Sequence, residues 1–275
     1  MKNRKVVRAL LAVLFFASLV TAGCRKKQVD KDTQAAEDND ESEMVSTDAS
    51  NMADAAALGI TSFRASSNAI ALSGCATVTR DTVAVPHTIM IDFGSANCVC
   101  QDGRSRRGVI NISYTGGYFQ TGTTRTITFA NYYVNDKHIE GTHTVTNNGL
   151  NSAGNYTWTV EAMNMVITRP TGEHHTWNST RTREMIAGAS TPFVRNDDIY
   201  RITGTANGVN INGVSYTANI VQPLRRAISC QWVESGTVEI TPANLATRTL
   251  DFGSTGCDNQ ATVTVNNNSY SITLH

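Results

Sequence analysis

The sequence has no apolar run long enough to cross a membrane as a helix and no excess of basic charge in its main body. Its longest hydrophobic stretch, Ala9 to Val20, is about twelve residues, whereas a helix spanning hydrocarbon needs roughly twenty. From Thr61 onward there are 15 basic and 14 acidic residues, so the strongly basic face that a nucleic-acid partner requires is missing. Also missing are a Gly-x-Ser-x-Gly elbow, a His-Glu-x-x-His helix, a Gly-rich nucleotide loop and a His-Arg-Asp loop. These absences remove α/β-hydrolase, zincin and kinase readings, and leave Asp92-Phe93-Gly94 as a turn rather than a kinase signature. No cofactor is expected.

What is present begins at the N-terminus. Lys2, Arg4, Lys5 and Arg8 precede the apolar stretch, and Thr21-Ala22-Gly23 lead to Cys24. A basic region, a short apolar core and small residues make a secretory signal. The Ala-Gly-Cys ending resembles the bacterial lipobox, with Thr21 where Leu is usual. The resemblance implies that residues 1–23 are removed and that Cys24 carries thioether-linked diacylglycerol and a further acyl chain such as palmitate. Each buried methylene contributes about 0.8 kcal/mol, so two or three chains hold a protein at a membrane where one does not.

Loss of the leader removes four of 23 basic residues and none of 23 acidic ones, leaving a net charge of −4. Between Arg25 and Ile60 stand four basic and nine acidic residues. This stretch has no aromatics and few large apolar groups, and so it is expected to be a disordered spacer over residues 24–60. Within it, Ser50 to Leu58 could form a short Ala-rich helix, marginal by itself in water. An acidic run soon after a lipidated cysteine resembles the surface-export tether of Bacteroidota lipoproteins, although Arg25-Lys26-Lys27 come first here.

Residues 61–275 read as an all-β domain. Gly108 to Tyr114, Thr124 to Phe129, Tyr156 to Val160, Tyr200 to Gly204 and Ala261 to Val265 alternate β-branched or aromatic residues with polar ones, between Gly, Asn and Asp. About a dozen antiparallel strands are expected, as a sandwich, meander or barrel of two related halves. Asn212-Gly213 predicts a hairpin with a type I′ turn, and Asn135-Asp136 and Asn266 to Asn268 predict two more.

Ile91-Asp-Phe-Gly-Ser-Ala-Asn-Cys98 is echoed by Leu250-Asp-Phe-Gly-Ser-Thr-Gly-Cys257, each with a cysteine upstream, Cys75 and Cys230. In an oxidising compartment the echo suggests Cys75–Cys98 and Cys230–Cys257 disulfides, each worth about 3 kcal/mol by loop closure. Cys100 is an alternative partner for Cys75, and a Cys75–Cys230 cross-link stays open. The spacing of Cys98 and Cys100 does not suit zinc, and no metal site is expected.

Candidate chemistry is sparse. His174-His175, His138 and His143 are the histidines to test, with Glu140, Glu161, Glu173 and Glu184 as possible partners; but His138 and His143 lie five apart, on opposite faces of a strand, and polar surface histidines are the plainer reading. Glu161, Glu173, Glu184, Asp197 and Asp198 show no pairing across a cleft. The segment from Glu173 to Met185 is polar on both faces, unlike an ordinary half-buried strand. One reading makes it a binding face, with Trp177 stacked on a sugar and Arg181 and Arg183 holding an anion. The plainer reading packs Trp177 inside and pairs the arginines with carboxylates. Arg104, Arg106 and Arg107 read as a solvated basic loop.

Cys75-Ala-Thr-Val-Thr, Cys98-Val-Cys-Gln-Asp-Gly-Arg-Ser-Arg-Arg-Gly108, Asn131-Tyr-Tyr-Val-Asn-Asp136, Trp177-Asn-Ser-Thr-Arg-Thr-Arg-Glu184 and Thr203-Gly-Thr-Ala together look like a family of Bacteroidota lipoproteins without an assigned activity. The resemblance spans about Gly74 to the C-terminus and implies an outer-membrane location, with no catalytic residues to carry over. The expected function is a lipid-anchored, non-enzymatic β-domain that binds a glycan or surface protein or supports the envelope. The alternative is a cell-surface polysaccharide hydrolase.

Overall fold

The computed structural model describes residues 30–59, 74–100, 102–254 and 256–274. The signal segment, Cys24 and residues 61–73 lie outside them. Residues 32–275 form one unit.

Its strands are β1 (Thr77–Asp81), β2 (His87–Asp92), β3 (Cys98–Val99), β4 (Ser105–Tyr114), β5 (Thr124–Val134), β6 (Lys137–Leu150), β7 (Tyr156–Thr168), β8 (His174–Ala187), β9 (Ile199–Val209), β10 (Ser215–Ala227), β11 (Ser235–Pro242), β12 (Arg248–Asp251), β13 (Gln260–Val265) and β14 (Asn268–Thr273). They pair antiparallel in chain order in one 14-stranded sheet, with β3 set aside against β4. The all-β meander is as expected. Among the described residues there is no second stacked sheet, and the sheet does not close into a barrel.

Local chemistry sets the turns. Asn135 and Asp136 (φ 49° and 62°) and Asn266 and Asn267 (φ 49° and 63°) take the left-handed pairs of type I′ hairpins. The Asn212-Gly213 hairpin forms, but its turn differs from the expected type I′. Only Gly213 is left-handed (φ 76°). Asn210 donates its N–H to the Val214 carbonyl, while its side-chain oxygen accepts from the N–H groups of Asn212 and Val214. The side chain therefore organises a five-residue loop that needs one positive φ instead of two.

Two bulges bend the long strands. Asn131 in β5 and Asn164 in β7 are left-handed (φ 47° and 52°) at places where the register slips by one residue. A Cβ on Gly108 would sit 1.9 Å from the Asn131 carbonyl oxygen, and one on Gly141 would sit 2.8 Å from that of Asn164. Glycine across from each bulge is therefore a steric requirement. Such bulges add twist and curl, and in β7 the inward set passes from Trp158, Val160 and Ala162 to Met165 and Ile167.

The sheet curls around a helix, and here the structure corrects the expected disordered spacer. Gln34–Ala57 is a 24-residue helix, α1. It contains neither Gly nor Pro and is rich in Ala, and the Asp32 carboxylate accepts the Gln34 N–H at its start. Six consecutive residues, Asp38 to Glu43, are buried. At 3.6 residues per turn this covers the whole circumference, so the sheet's concave face surrounds the helix. The domain thus begins near residue 32 instead of residue 61.

The repeated element is real as local structure. Asp92 and Asp251 each accept the N–H of the glycine two residues on at 2.8 Å. Phe93 and Phe252 are buried, and their N–H groups bond the carbonyls of Gly108 and Gly236. Cys75–Cys98 and Cys230–Cys257 are disulfides, with Cα atoms 5.5 Å apart in both. Cys100 is a free, buried thiol.

Candidate functional site

The distinctive site is the seam between α1 and the sheet, where a polar helix meets a basic concave face. A helix polar on every side is not stable by its own amphipathicity. In this fold Arg106, Arg125, Trp177, Arg181 and Arg183 come to it from inward-facing strand positions, which point the same way, whereas Arg104, Arg169 and Arg195 come from the segments that connect strands.

Asp54 is the centre of the C-terminal half. Arg183 reaches it at 2.8 Å, Arg125 at 3.0 Å and Arg195 at 3.3 Å. Burial alone would raise its pKa, but these three guanidiniums outweigh burial and hold the carboxyl down at about 2. Arg183 also lies over the rings of Tyr200, at 4.6 Å, and Trp158, at 5.2 Å. One turn and a half earlier, Asp48 receives Arg106 at 2.8 Å and Arg104 at 2.9 Å. Burial opposes its charge, yet Arg106 and Arg104 prevail and its pKa is lowered.

Glu43 takes Arg181 at 2.9 Å, and Asn39 accepts the Trp177 indole N–H at 3.2 Å. Near the helix start, Arg169 bonds Asp38 at 2.8 Å and Glu41 at 2.6 Å, and Lys137 also pairs with Glu41. Asp38 further accepts the Ile211 N–H. Burial is the dominant influence there and raises the Asp38 pKa despite these donors. The His175 imidazole meets Ser42 Oγ at 3.0 Å.

Asp38, Glu41 and His175 place ligand atoms within 4.8 Å of one another, a spacing that would admit a cation. The Arg169 guanidinium already stands between the two carboxylates, so the cation of this cluster is part of the protein.

The glycan-binding reading of this segment is therefore corrected, and the plainer reading holds: Trp177 is packed inside and Arg181 and Arg183 are in ion pairs. Trp177 is fully buried and Arg181 and Arg183 nearly so, all on the inner side of β8. The segment is polar on both faces because its inner face binds a polar helix. Arg104 and Arg106 are likewise buried ion-pair residues of the seam, a correction to the solvated loop; Arg107 alone turns outward, over the Tyr133 ring. His138 and His143 do lie on opposite faces: His138 stacks on Tyr133, whereas His143 is fully buried beside Phe129. Burial lowers the His143 pKa to about 4.

The carboxylates weighed for hydrolysis are spread apart in role. Glu161 and Glu173 are exposed, Glu184 binds Arg201 on the outer face, Asp197 takes the Thr191 hydroxyl, and Asp198 pairs with Arg195 and Tyr200. An open outer groove of about 490 Å³ is lined by Thr176, Asn178, Asn207, Ser215, Thr217 and Thr241, among others.

Sequence reasoning missed α1 as a partner. The available signal was arginine at period two on the same strand face as core residues: Arg104 and Arg106, Arg181 and Arg183. Comparison with known proteins finds no match among protein-family models, curated proteins or solved structures.

Proposed function

We propose that this is a lipoprotein of the bacterial outer membrane, anchored through Cys24, whose β-domain clamps the chain segment next to the anchor and serves a structural or interaction role at the envelope. The observation that carries this reading is the enclosure of α1. A spacer running from Cys24 to residue 60 would reach on the order of 120 Å when extended; a chain gripped from Gln34 onward leaves ten residues, reaching about 35 Å. The domain is then held close to the lipid surface. The acidic run is enclosed in the fold, and residues 25–33 retain four basic and two acidic residues, a composition suited to anionic headgroups. Partners meet the outer face of the sheet, where the Thr- and Asn-lined groove offers hydroxyl and amide groups to a glycan or a surface protein.

The test is metabolic labelling with palmitate and fractionation of the wild-type chain and Cys24→Ala. Loss of label and release from the membrane are expected, and label persisting on the variant refutes the anchor. Neutron reflectometry of the acylated protein on a supported bilayer should place the near edge of the domain within about 35 Å of the headgroups. A gap of 100 Å would refute the clamp.

A further inference from the structure

Among the buried arginines of the seam, Arg226 stands apart. It lies on the inner side of β10 and is 6% exposed. Its Nε is buried without a hydrogen-bond partner, and no carboxylate reaches its guanidinium at ion-pair distance among the described residues. The charged groups that act on it from a distance are Arg104, which repels, and Asp40, Asp48 and Glu234, which attract. An isolated buried charge is strongly disfavoured unless a counter-charge accompanies it.

Arg226 borders a cavity of about 30 Å³ between α1 and strands β7 to β10. The space exceeds the 10–15 Å³ or so that a water molecule needs, and is too small for a large organic ligand. Its lining includes Ser50, Arg181 and Arg183. The buried atoms left without partners on these residues are Arg226 Nε, Arg181 Nη1, Arg183 Nε and Ser50 Oγ. The three guanidinium nitrogens can only donate, and the hydroxyl can donate. Glu43 is also in the wall, with both of its bonds to Arg181 made through Oε2, and Ser46, Thr47 and Asn51 add polar oxygens. Three of the four unpartnered atoms are guanidinium nitrogens that can only donate, so the unmet demand in the cavity is for an acceptor, and the unmatched charge beside it is positive.

We propose that this cavity is a site for one small monovalent anion of halide size, with Arg226 as its principal counter-charge and Arg181 and Ser50 as further donors. The anion completes the charge pairing of the interior that α1 leaves unfinished. It enters as a structural ligand, so its occupancy appears as stability.

The experiment compares thermal unfolding of the full chain in sodium bromide and in sodium gluconate at matched ionic strength. A saturable rise in Tm of about 2–5 °C in bromide is expected. Arg226→Met, checked for fold by circular dichroism, should lose that rise, and Arg226→Lys should retain part of it. Equal melting in the two salts, or an undiminished bromide effect in Arg226→Met, overturns the proposal. Should Arg226→Met fail to fold, the wild-type protein decides: bromide-soaked crystals should give an anomalous peak at the Arg226 guanidinium, and its absence there overturns the site.

Discussion

At the C-terminal end of α1, one carboxylate, Asp54, is shared by three buried guanidiniums; at its N-terminal end, two carboxylates, Asp38 and Glu41, share the partly exposed guanidinium of Arg169. The two aspartates belong to the same helix and are almost completely buried. Their carboxyl groups nevertheless shift in opposite directions: Asp54 falls to about 2, and Asp38 rises. Burial acts on both, and the number and enclosure of the facing cations decide which influence wins. A buried ion pair is not stabilising by itself; what is costly is to remove one partner and leave the other enclosed.

The largest effect should therefore come from Asp54→Ala, which strands Arg125, Arg183 and Arg195 around an uncharged site. A loss of about 3–5 kcal/mol is expected, a drop in Tm on the order of 10 °C for a domain of this size. Thermal or urea unfolding checks it. Asp38→Ala should cost much less, and equal losses at the two positions would break the comparison.

Acid should resolve the same contrast once a second group is accounted for. His143 is buried and neutral, with its pKa lowered from 6.5 to about 4. The unfolded chain takes up this proton before the folded one does, so the stability it supports is full above pH 6.5 and is lost as pH falls towards 4, in all about 3 kcal/mol. His143→Phe should remove that slope. Below it, the Asp54 carboxyl, depressed from 3.8 to about 2, holds stability that is present above pH 3.8 and is lost between there and pH 2, about 2 kcal/mol. Urea titrations from pH 7 to 2 on wild type and His143→Phe separate the two. A variant that kept the slope between pH 6.5 and 4 would remove His143 from the account.

These contrasts also explain what could be read in advance. Strand alternation, the Asn135-Asp136 turn and both disulfides were legible because each is encoded within a few residues or by an audible repeat, as in Asp92-Phe93-Gly94 and Asp251-Phe252-Gly253. The enclosure of α1 was not. Its segment shows no apolar stripe, and its partners Arg104, Arg125, Arg169, Arg183 and Arg195 lie far along the chain. A carboxylate on a disordered spacer and one awaiting three arginines look alike until topology brings the strands together. For the same reason Trp177, Arg181 and Arg183 could be read as an exposed binding face, although their pattern equally suits an interior that holds a polar helix.

The smallest expected effect is also the one whose sign is most informative. Because the Asp38 pKa is raised on folding, its charge opposes folding at neutral pH: the penalty is absent below 3.8, where both states are protonated, and grows as pH rises through the folded value. Asp38→Asn keeps an oxygen for the Ile211 N–H, and Arg169 keeps Glu41. At pH 7 the variant should be unchanged or more stable by less than about 1 kcal/mol, because Arg169 is partly solvated and its pair with Asp38 is worth little. Asp54→Asn, a substitution of the same size on the same helix, should be strongly destabilising. Urea unfolding of both at pH 7 compares the signs directly. Destabilisation by Asp38→Asn comparable to that by Asp54→Asn would mean that the N-terminal cluster is held by its charges as tightly as the C-terminal one.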